Sequence, residues 1–345
     1  MIYLDNAATT EPKFHRNGIG YNEYWFNSNT PYAKTEGEAL GYAEAKIKGL
    51  LHVTGGHILY FRCATEAIEW LANKFCVDEV WCSPYEHDSI YNISEVLNNK
   101  FKYNIQEYSL YCHQLVNQIT GDTWDIKSAK EKFVIKPNQF FGVDLTAAIG
   151  HTVLPNNLEE YCDALWFSGH KFYTEKGIGA MWINDRLGKY LKATKDYRNQ
   201  HNLVHGTVDV AGALMLADAM EWVDGNYEDS HYNSLLTVLY NLLFEADIEA
   251  HNVCLNEKTR SHAINAIYLP NINADALQIY LASKDIYIGV AHSACADNDD
   301  YRVLEAMRYS KDIARQTIRV SFSVDTTIDD IKSLIKEVKN FKEIF

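Results

Sequence analysis

A lysine at the end of an apolar run is the residue in this sequence with the most chemistry to offer. Ser168-Gly169-His170-Lys171 closes the run Ala164-Leu165-Trp166-Phe167, and Lys176-Gly177-Ile178-Gly179-Ala180 follows. An amine held there can form a Schiff base with a carbonyl cofactor, with Ser168 and His170 supplying part of the cofactor's polar contacts. A solvated turn is the plainer reading of the tetrapeptide alone. Asp144 closes Phe140-Phe141-Gly142-Val143. A carboxylate emerging there can pair with a protonated ring nitrogen and keep the ring an electron acceptor, or serve as an ordinary helix cap. His87 follows Ser83-Pro84-Tyr85-Glu86 and can stack on a flat ring and shuttle protons, or be a plain surface histidine. Ala64-Thr65, at the start of a helix, offers backbone N–H groups and a hydroxyl to a phosphate; a threonine N-cap is the simpler role.

The elements that must position these residues alternate between strand and helix. Strands are predicted at His57–Phe61, Glu79–Cys82, Tyr111–Val116, Gln139–Asp144, Ala164–Ser168 and Ile178–Asn184, with helices at Thr65–Phe75, His87–Lys100 and Val208–Val223. This grammar predicts an α/β fold with a mostly parallel central sheet covered by helices. Polar residues cluster at the strand ends, at Arg62–Thr65, Tyr85–His87, Asn117–Gly121, Asp144–Thr146 and Ser168–Lys171. That is the carboxyl edge where open α/β sheets bind ligands, so one site can collect them all.

After a helix around Ser234–Glu245 the rhythm becomes strand Ala263–Leu269, helix Ala274–Ser283, strand Ile286–Val290, helix Tyr301–Tyr309, strand Thr317–Ser323 and helix Ile328–Phe341. The expected organisation is a large domain over 15–240 and a smaller α+β C-terminal domain over 241–345, with residues 1–14 packing near the smaller one.

The 345 residues include 47% apolar and 23% charged side chains, which excludes disordered, collagen-like and coiled-coil classes. The net charge of −14 repels phosphate backbones and anionic lipid, so neither nucleic acid nor membrane is an expected partner. Seven scattered cysteines lack the spacing of a zinc site or a disulfide framework and suit a reducing cytoplasm. Met1–Thr10 does not read as a signal peptide, and the apolar stretch Leu235–Phe244 is too short to span a bilayer.

Together these positions resemble the class V aminotransferase family, fold type I enzymes that bind pyridoxal 5′-phosphate (PLP), and within it the cysteine desulfurases. The opening Ile2-Tyr3-Leu4-Asp5-Asn6-Ala7-Ala8-Thr9-Thr10 is nearly the family's signature start, and SGHK with KGIGA is its lysine segment. The resemblance makes Lys171 the Schiff-base lysine, His87 the ring-stacking histidine and Asp144 the partner of the ring nitrogen. It assigns Ala64, Thr65, Ser168 and His170 to the phosphate. Thr207, in Gly206-Thr207, matches a hydroxyl that reaches a phosphate across a homodimer interface. Arg319, in Ile318-Arg319, matches the arginine that grips the substrate carboxylate. Ser293-Ala294-Cys295 matches the desulfurase loop whose thiolate takes sulfur from L-cysteine as a persulfide and leaves L-alanine; outside that context a buried structural cysteine is the plainer reading.

The chain also departs from the pattern. Ala147, in Asp144-Leu145-Thr146-Ala147, stands where the family has a glutamine on the cofactor's phenolic oxygen. Gln118, in Asn117-Gln118-Ile119-Thr120-Gly121, keeps an amide at the second motif position, lengthened by one methylene, for cofactor and substrate. The segment from His87 to Asn117 is short against the family, and three aspartates close after Cys295 disfavour its thiolate. The function expected is cysteine desulfuration serving an iron–sulfur or thiolation pathway through a protein sulfur acceptor. The alternatives are another PLP reaction, an aminotransferase or lyase step, and a catalytically weak partner-binding homologue.

Overall fold

The computed structural model describes residues 1–17, 21, 24, 28, 34–74, 80–93, 109–133, 136–192, 200–292 and 301–344. Its larger sheet contains β2 (His57–Phe61), β3 (Val80–Cys82), β4 (Ser109–Gln114), β5 (Gln139–Asp144), β6 (Ala164–Ser168) and β7 (Gly179–Ile183), in spatial order β2-β7-β6-β5-β4-β3. The β6–β5, β5–β4 and β4–β3 pairings are parallel, and only β7 runs against the rest. The mostly parallel α/β sheet predicted from the sequence is present.

The central strands form because alternate residues enter two different cores. Phe141, Val143, Leu165, Phe167, Ala180 and Trp182 pack on one face, while Phe140, Ala164, Trp166, Met181 and Ile183 pack on the other. With side chains alternating across a sheet covered on both sides, the strands read as unbroken apolar runs. Gly142 interrupts β5 for a steric reason: a Cβ there would stand 2.3 Å from the Trp166 ring. Helices α1 (Lys34–Leu50) and α2 (Ala64–Lys74) cover opposite faces, and α3 (Val210–Asn226), buried around most of its circumference, packs on α1.

The second sheet has the order β1-β10-β11-β9-β8, with β1 (Ile2–Leu4), β8 (His251–Asn252), β9 (Ile264–Tyr268), β10 (Ile286–Val290) and β11 (Thr317–Ser321). Only β1 and β10 pair in parallel. Its core joins Leu4, Ile288 and Val320 to apolar residues of α4 (Asp229–Glu245), α5 (Ala274–Ala282) and α7 (Ile328–Ile344), the last preceded by the short α6 (Arg302–Ala306). The boundary expected near 240 falls inside α4, whose buried Tyr232, Leu235, Leu239 and Leu243 all belong to this core.

Several predicted boundaries move. The strand placed at Tyr111–Val116 is β4, Ser109–Gln114, because the chain turns at Asn117, whose side chain accepts N–H groups from Ile119 and Thr120. The helix at Tyr301–Tyr309 shortens to Arg302–Ala306, since Arg308 takes a left-handed conformation (φ 69°). The strand at Thr317–Ser323 ends at Ser321, where Ser323 and Thr326 form a local turn. The helix at His87–Lys100 is described over 88–93, and residues 94–108, most of the shortened segment, lie outside the described residues.

Candidate active site

The carboxyl ends of β2 to β6 open into one cavity of about 500 Å³, closed on its other side by β10 and β11. Ala64 and Thr65 line it from the start of α2, His87 from beyond β3, Gln118 from beyond β4, Asp144 from β5, and Ser168, His170 and Lys171 from β6 and the following turn; Arg319 faces them from β11. The carboxyl edge of the larger sheet thus gathers residues up to 107 positions apart, and Arg319 joins them from the second sheet. Thr207 is exposed and does not line this cavity, and Cys295 lies outside the described residues.

A strap from the N-terminus holds the lysine turn. Beyond β1 the chain bridges to Ser321, with the Asn6 amide donating to the Ser321 carbonyl at 3.0 Å and Ser321 Oγ accepting from the Ala7 N–H at 2.9 Å. It then crosses to the turn after β6, where Thr10 N–H and the hydroxyls of Thr9 and Thr10 donate to the His170 carbonyl. Lys171 Nζ donates to the Ala7 carbonyl at 2.5 Å. The opening motif was legible in the sequence, but only as a resemblance; its role as strap was not.

Arg319 and Asp5 form an ion pair inside the cavity at 2.6 Å, and Arg319 Nη1 donates to the Gln118 carbonyl at 3.0 Å. Arg319 Nε is buried without a partner, as is Gln118 Oε1. Gly289, opposite Arg319 in the β10–β11 pair, makes the room: a Cβ there would lie 2.8 Å from Nε. Asp5 and Gly289 carry no local signal of this arrangement, because they meet Arg319 only across the second sheet.

Burial sets the protonation of the remaining groups. It pushes the His87 imidazole below its usual range against the pull of Asp144, and Lys171 adds to the depression. His87 Nδ1 accepts from the Ser89 N–H at 3.2 Å, which leaves Nε2 as the donor of the neutral ring. Burial raises the Asp144 carboxyl, opposed by hydrogen bonding from Thr146, whose N–H it accepts at 2.7 Å. His170 is held down at about 4 by burial and then by Lys171, and buried His151 is held at about 4 for the same reasons in the same order.

These residues fit PLP. A buried carboxylate facing the cavity is costly without a cationic partner, and a protonated ring nitrogen is one; the lysine amine, the neutral His87 ring and the first turn of α2 complete the donor set. One detail differs from the reading of the sequence: the Ala64 N–H is taken by Ser168 Oγ at 2.7 Å, so this amide serves α2 and β6 instead of a phosphate. Thr65 remains at the cavity wall. Ala147 lines the cavity without a polar atom on its side chain.

Sheet order, strap and cavity define a fold type I α/β enzyme that uses PLP. The chain belongs to the aminotransferase class-V family, whose profile matches residues 106–334. It is 26% identical to a NifS/IcsS protein homolog of Lactobacillus delbrueckii subsp. bulgaricus, covering 100% of this chain and 97% of the relative. It is 25% identical to the cysteine desulfurase IscS of Methanosarcina thermophila, covering 98% and 91%. Among solved structures it superposes on a NifS-like protein with a TM-score of 0.84 at 22% identity, covering 100% of both chains, and on the NifS-like protein from Rickettsia africae with a TM-score of 0.80 at 20% identity, covering 99% of both. Among the described residues no helix is long and apolar enough to cross a membrane.

Proposed function

We propose that this chain is a cysteine desulfurase that removes sulfur from L-cysteine, releases L-alanine and passes the sulfur on through Cys295. The observation that carries the reading is the pairing, in one cavity, of the Lys171 amine and the Asp144 carboxylate with Arg319, whose buried Nε lacks an acceptor. Bound PLP supplies an electron sink for bonds broken next to the substrate's α-carbon. The chain's own residues do the rest. Arg319 takes the substrate carboxylate with its guanidinium, with Gln118 beside it. Lys171 carries the proton at the reacting carbons. Asp144 would pair with the cofactor's ring nitrogen, His87 would lie against its ring, and Thr65, Ser168 and His170 would hold its phosphate.

Cys295 follows the cavity-lining His292 by three residues in the sequence. Its thiolate attacks the substrate sulfur: an S–S bond forms, the substrate's C–S bond breaks, and the bond's electron pair leaves with the carbon skeleton, which takes up protons to become alanine. Thr207, exposed in a single chain, is read as completing the site of a second copy in a homodimer. The five free cysteines among the described residues agree with a cytoplasmic enzyme that hands sulfur to a protein acceptor.

The test is alanine formation from L-cysteine by the PLP-loaded protein, beside Lys171→Ala and Cys295→Ser, with alkylation trapping of the persulfide. Alanine and labelled Cys295, both lost in Cys295→Ser, support the reading. Because Ala147 offers no hydrogen bond where the resemblance places a glutamine, the same samples are assayed for keto acids; a keto acid without alanine overturns desulfuration in favour of a transamination or lyase reaction.

A further inference from the structure

Outside the cavity, one group of side chains among the described residues has the chemistry of a metal ligand set. Glu44 of α1, His57 at the head of β2 and His201 in the turn at 200–203 bring ligand atoms within 4.8 Å of one another. Glu44 Oε2 lies 3.1 Å from His201 Nε2, and the two imidazole rings stack with centroids 4.3 Å apart. Two imidazoles and a carboxylate suit borderline divalent ions of the Zn²⁺ type.

The surroundings orient the carboxylate for this task. Lys48 Nζ at 2.8 Å and the Ile58 N–H at 3.4 Å both bond to Glu44 Oε1, leaving Oε2 toward the histidines. Outer partners that fix a ligating carboxylate are the usual support of a metal site.

The backbone adds an independent observation. Gln200, His201 and Asn202, none of them glycine, lie in the left-handed region with φ of 42°, 59° and 67°. Runs of such residues are strained and persist where surrounding contacts over-determine them. Here Gln200 is pinned to β2 by both amide atoms, accepting from the Tyr60 N–H at 2.6 Å and donating to its carbonyl at 3.3 Å, which aims His201 over His57.

We propose that Glu44, His57 and His201 bind one divalent ion of the Zn²⁺ type, with solvent completing its coordination, and that the ion staples the 200–203 turn to β2 and α1. A tetrahedral ion needs donor atoms about 3.4 Å apart. Glu44 Oε2 and His201 Nε2, 3.1 Å apart, stand near that spacing, and binding the ion requires the stacked rings to turn their nitrogens toward it. The site is independent of the desulfurase reading and of PLP.

The experiment uses the full-length protein, stripped with EDTA and dialysed, titrated with ZnCl₂ by calorimetry and with Co²⁺ followed by its visible d–d absorption. His57→Ala and His201→Ala are titrated alongside, with His205→Ala as control. All samples share the same thiols, so the reading is the difference between them. The expected result is one equivalent bound by the wild type and by the control, weakened at least tenfold in both site variants, and a Zn²⁺-dependent rise in Tm that His201→Ala loses. Equal stoichiometry and affinity in wild type and variants, or no saturable binding by the wild type, overturns the proposal. Should His57→Ala fail to fold, the exposed His201 decides alone.

Discussion

Replacing Gly289 with alanine isolates the work of Arg319 without touching Arg319 itself. The new Cβ would stand 2.6 Å from Asp5 Oδ1 and 2.8 Å from Arg319 Nε and Nη2. A comfortable carbon–nitrogen contact is about 3.5 Å, so the guanidinium must retreat by roughly 0.7 Å. That stretches its 2.6 Å bond to Asp5 to the edge of hydrogen-bonding range and shifts the guanidinium proposed to receive the substrate carboxylate. A hydrogen bond to a charged group contributes about 1.5–3 kcal/mol, and 1.4 kcal/mol is tenfold. The kcat/KM for L-cysteine should therefore fall about 10- to 100-fold, mostly through KM. Gly289 sits in a regular strand without a positive φ, where alanine is the better residue by about 0.5–1 kcal/mol, so thermal unfolding should shift little. Steady-state alanine formation gives the KM, and a spectral titration gives the Kd for L-cysteine and for cysteamine, which lacks the carboxylate. The penalty should vanish for cysteamine, and combination with Arg319→Lys should be far from additive, since both changes act on one group. A KM for L-cysteine within twofold of the wild type would refute the placement of the substrate carboxylate on Arg319.

Other consequences follow from the same geometry. Lys171→Ala should cut alanine formation at least about a thousandfold, the scale of a lost acid–base and nucleophilic group, and abolish the visible absorbance of the bound cofactor, read by spectrophotometry. Buried His151 is neutral down to about 4 in the folded chain against an ordinary value of 6.5. Its stabilising effect is complete above pH 6.5 and is lost as pH falls from there to 4, because the unfolded chain then binds a proton that the folded one excludes; this amounts to about 3 kcal/mol. Urea unfolding at pH 7 and pH 4.5 should show that loss, and His151→Gln should shrink it. Thr10→Val removes the hydroxyl that donates to the His170 carbonyl and accepts the Tyr173 N–H at 2.6 Å. It should loosen the lysine turn and weaken PLP retention in dialysis about tenfold while leaving the far-ultraviolet circular dichroism unchanged.

Much of this molecule is legible along the chain. The strands His57–Phe61, Gln139–Asp144, Ala164–Ser168 and Ile286–Val290 appear at the predicted residues, because a strand covered on both faces must be apolar at every position and polar only where it ends. The same logic puts His87, Asp144 and Lys171 at strand ends and hence at one edge. Other features have no local signature. Asp5 meets Arg319 across 314 positions, Ala7 lends its carbonyl to Lys171 across 164, and Gly289 matters only because Arg319 lies opposite. The Ala64 amide could be offered to a phosphate by any reading of a helix start; the approach of Ser168 from another strand spends it inside the protein. Glu44, His57 and His201 are unremarkable in sequence until α1, β2 and a left-handed turn converge. Periodicity and strand-end chemistry are properties of neighbours in the chain, so the amino-acid order alone carries them. Pairing, crowding and unsatisfied polar atoms are properties of neighbours in space, and they exist only once the two sheets and the strap between them have packed.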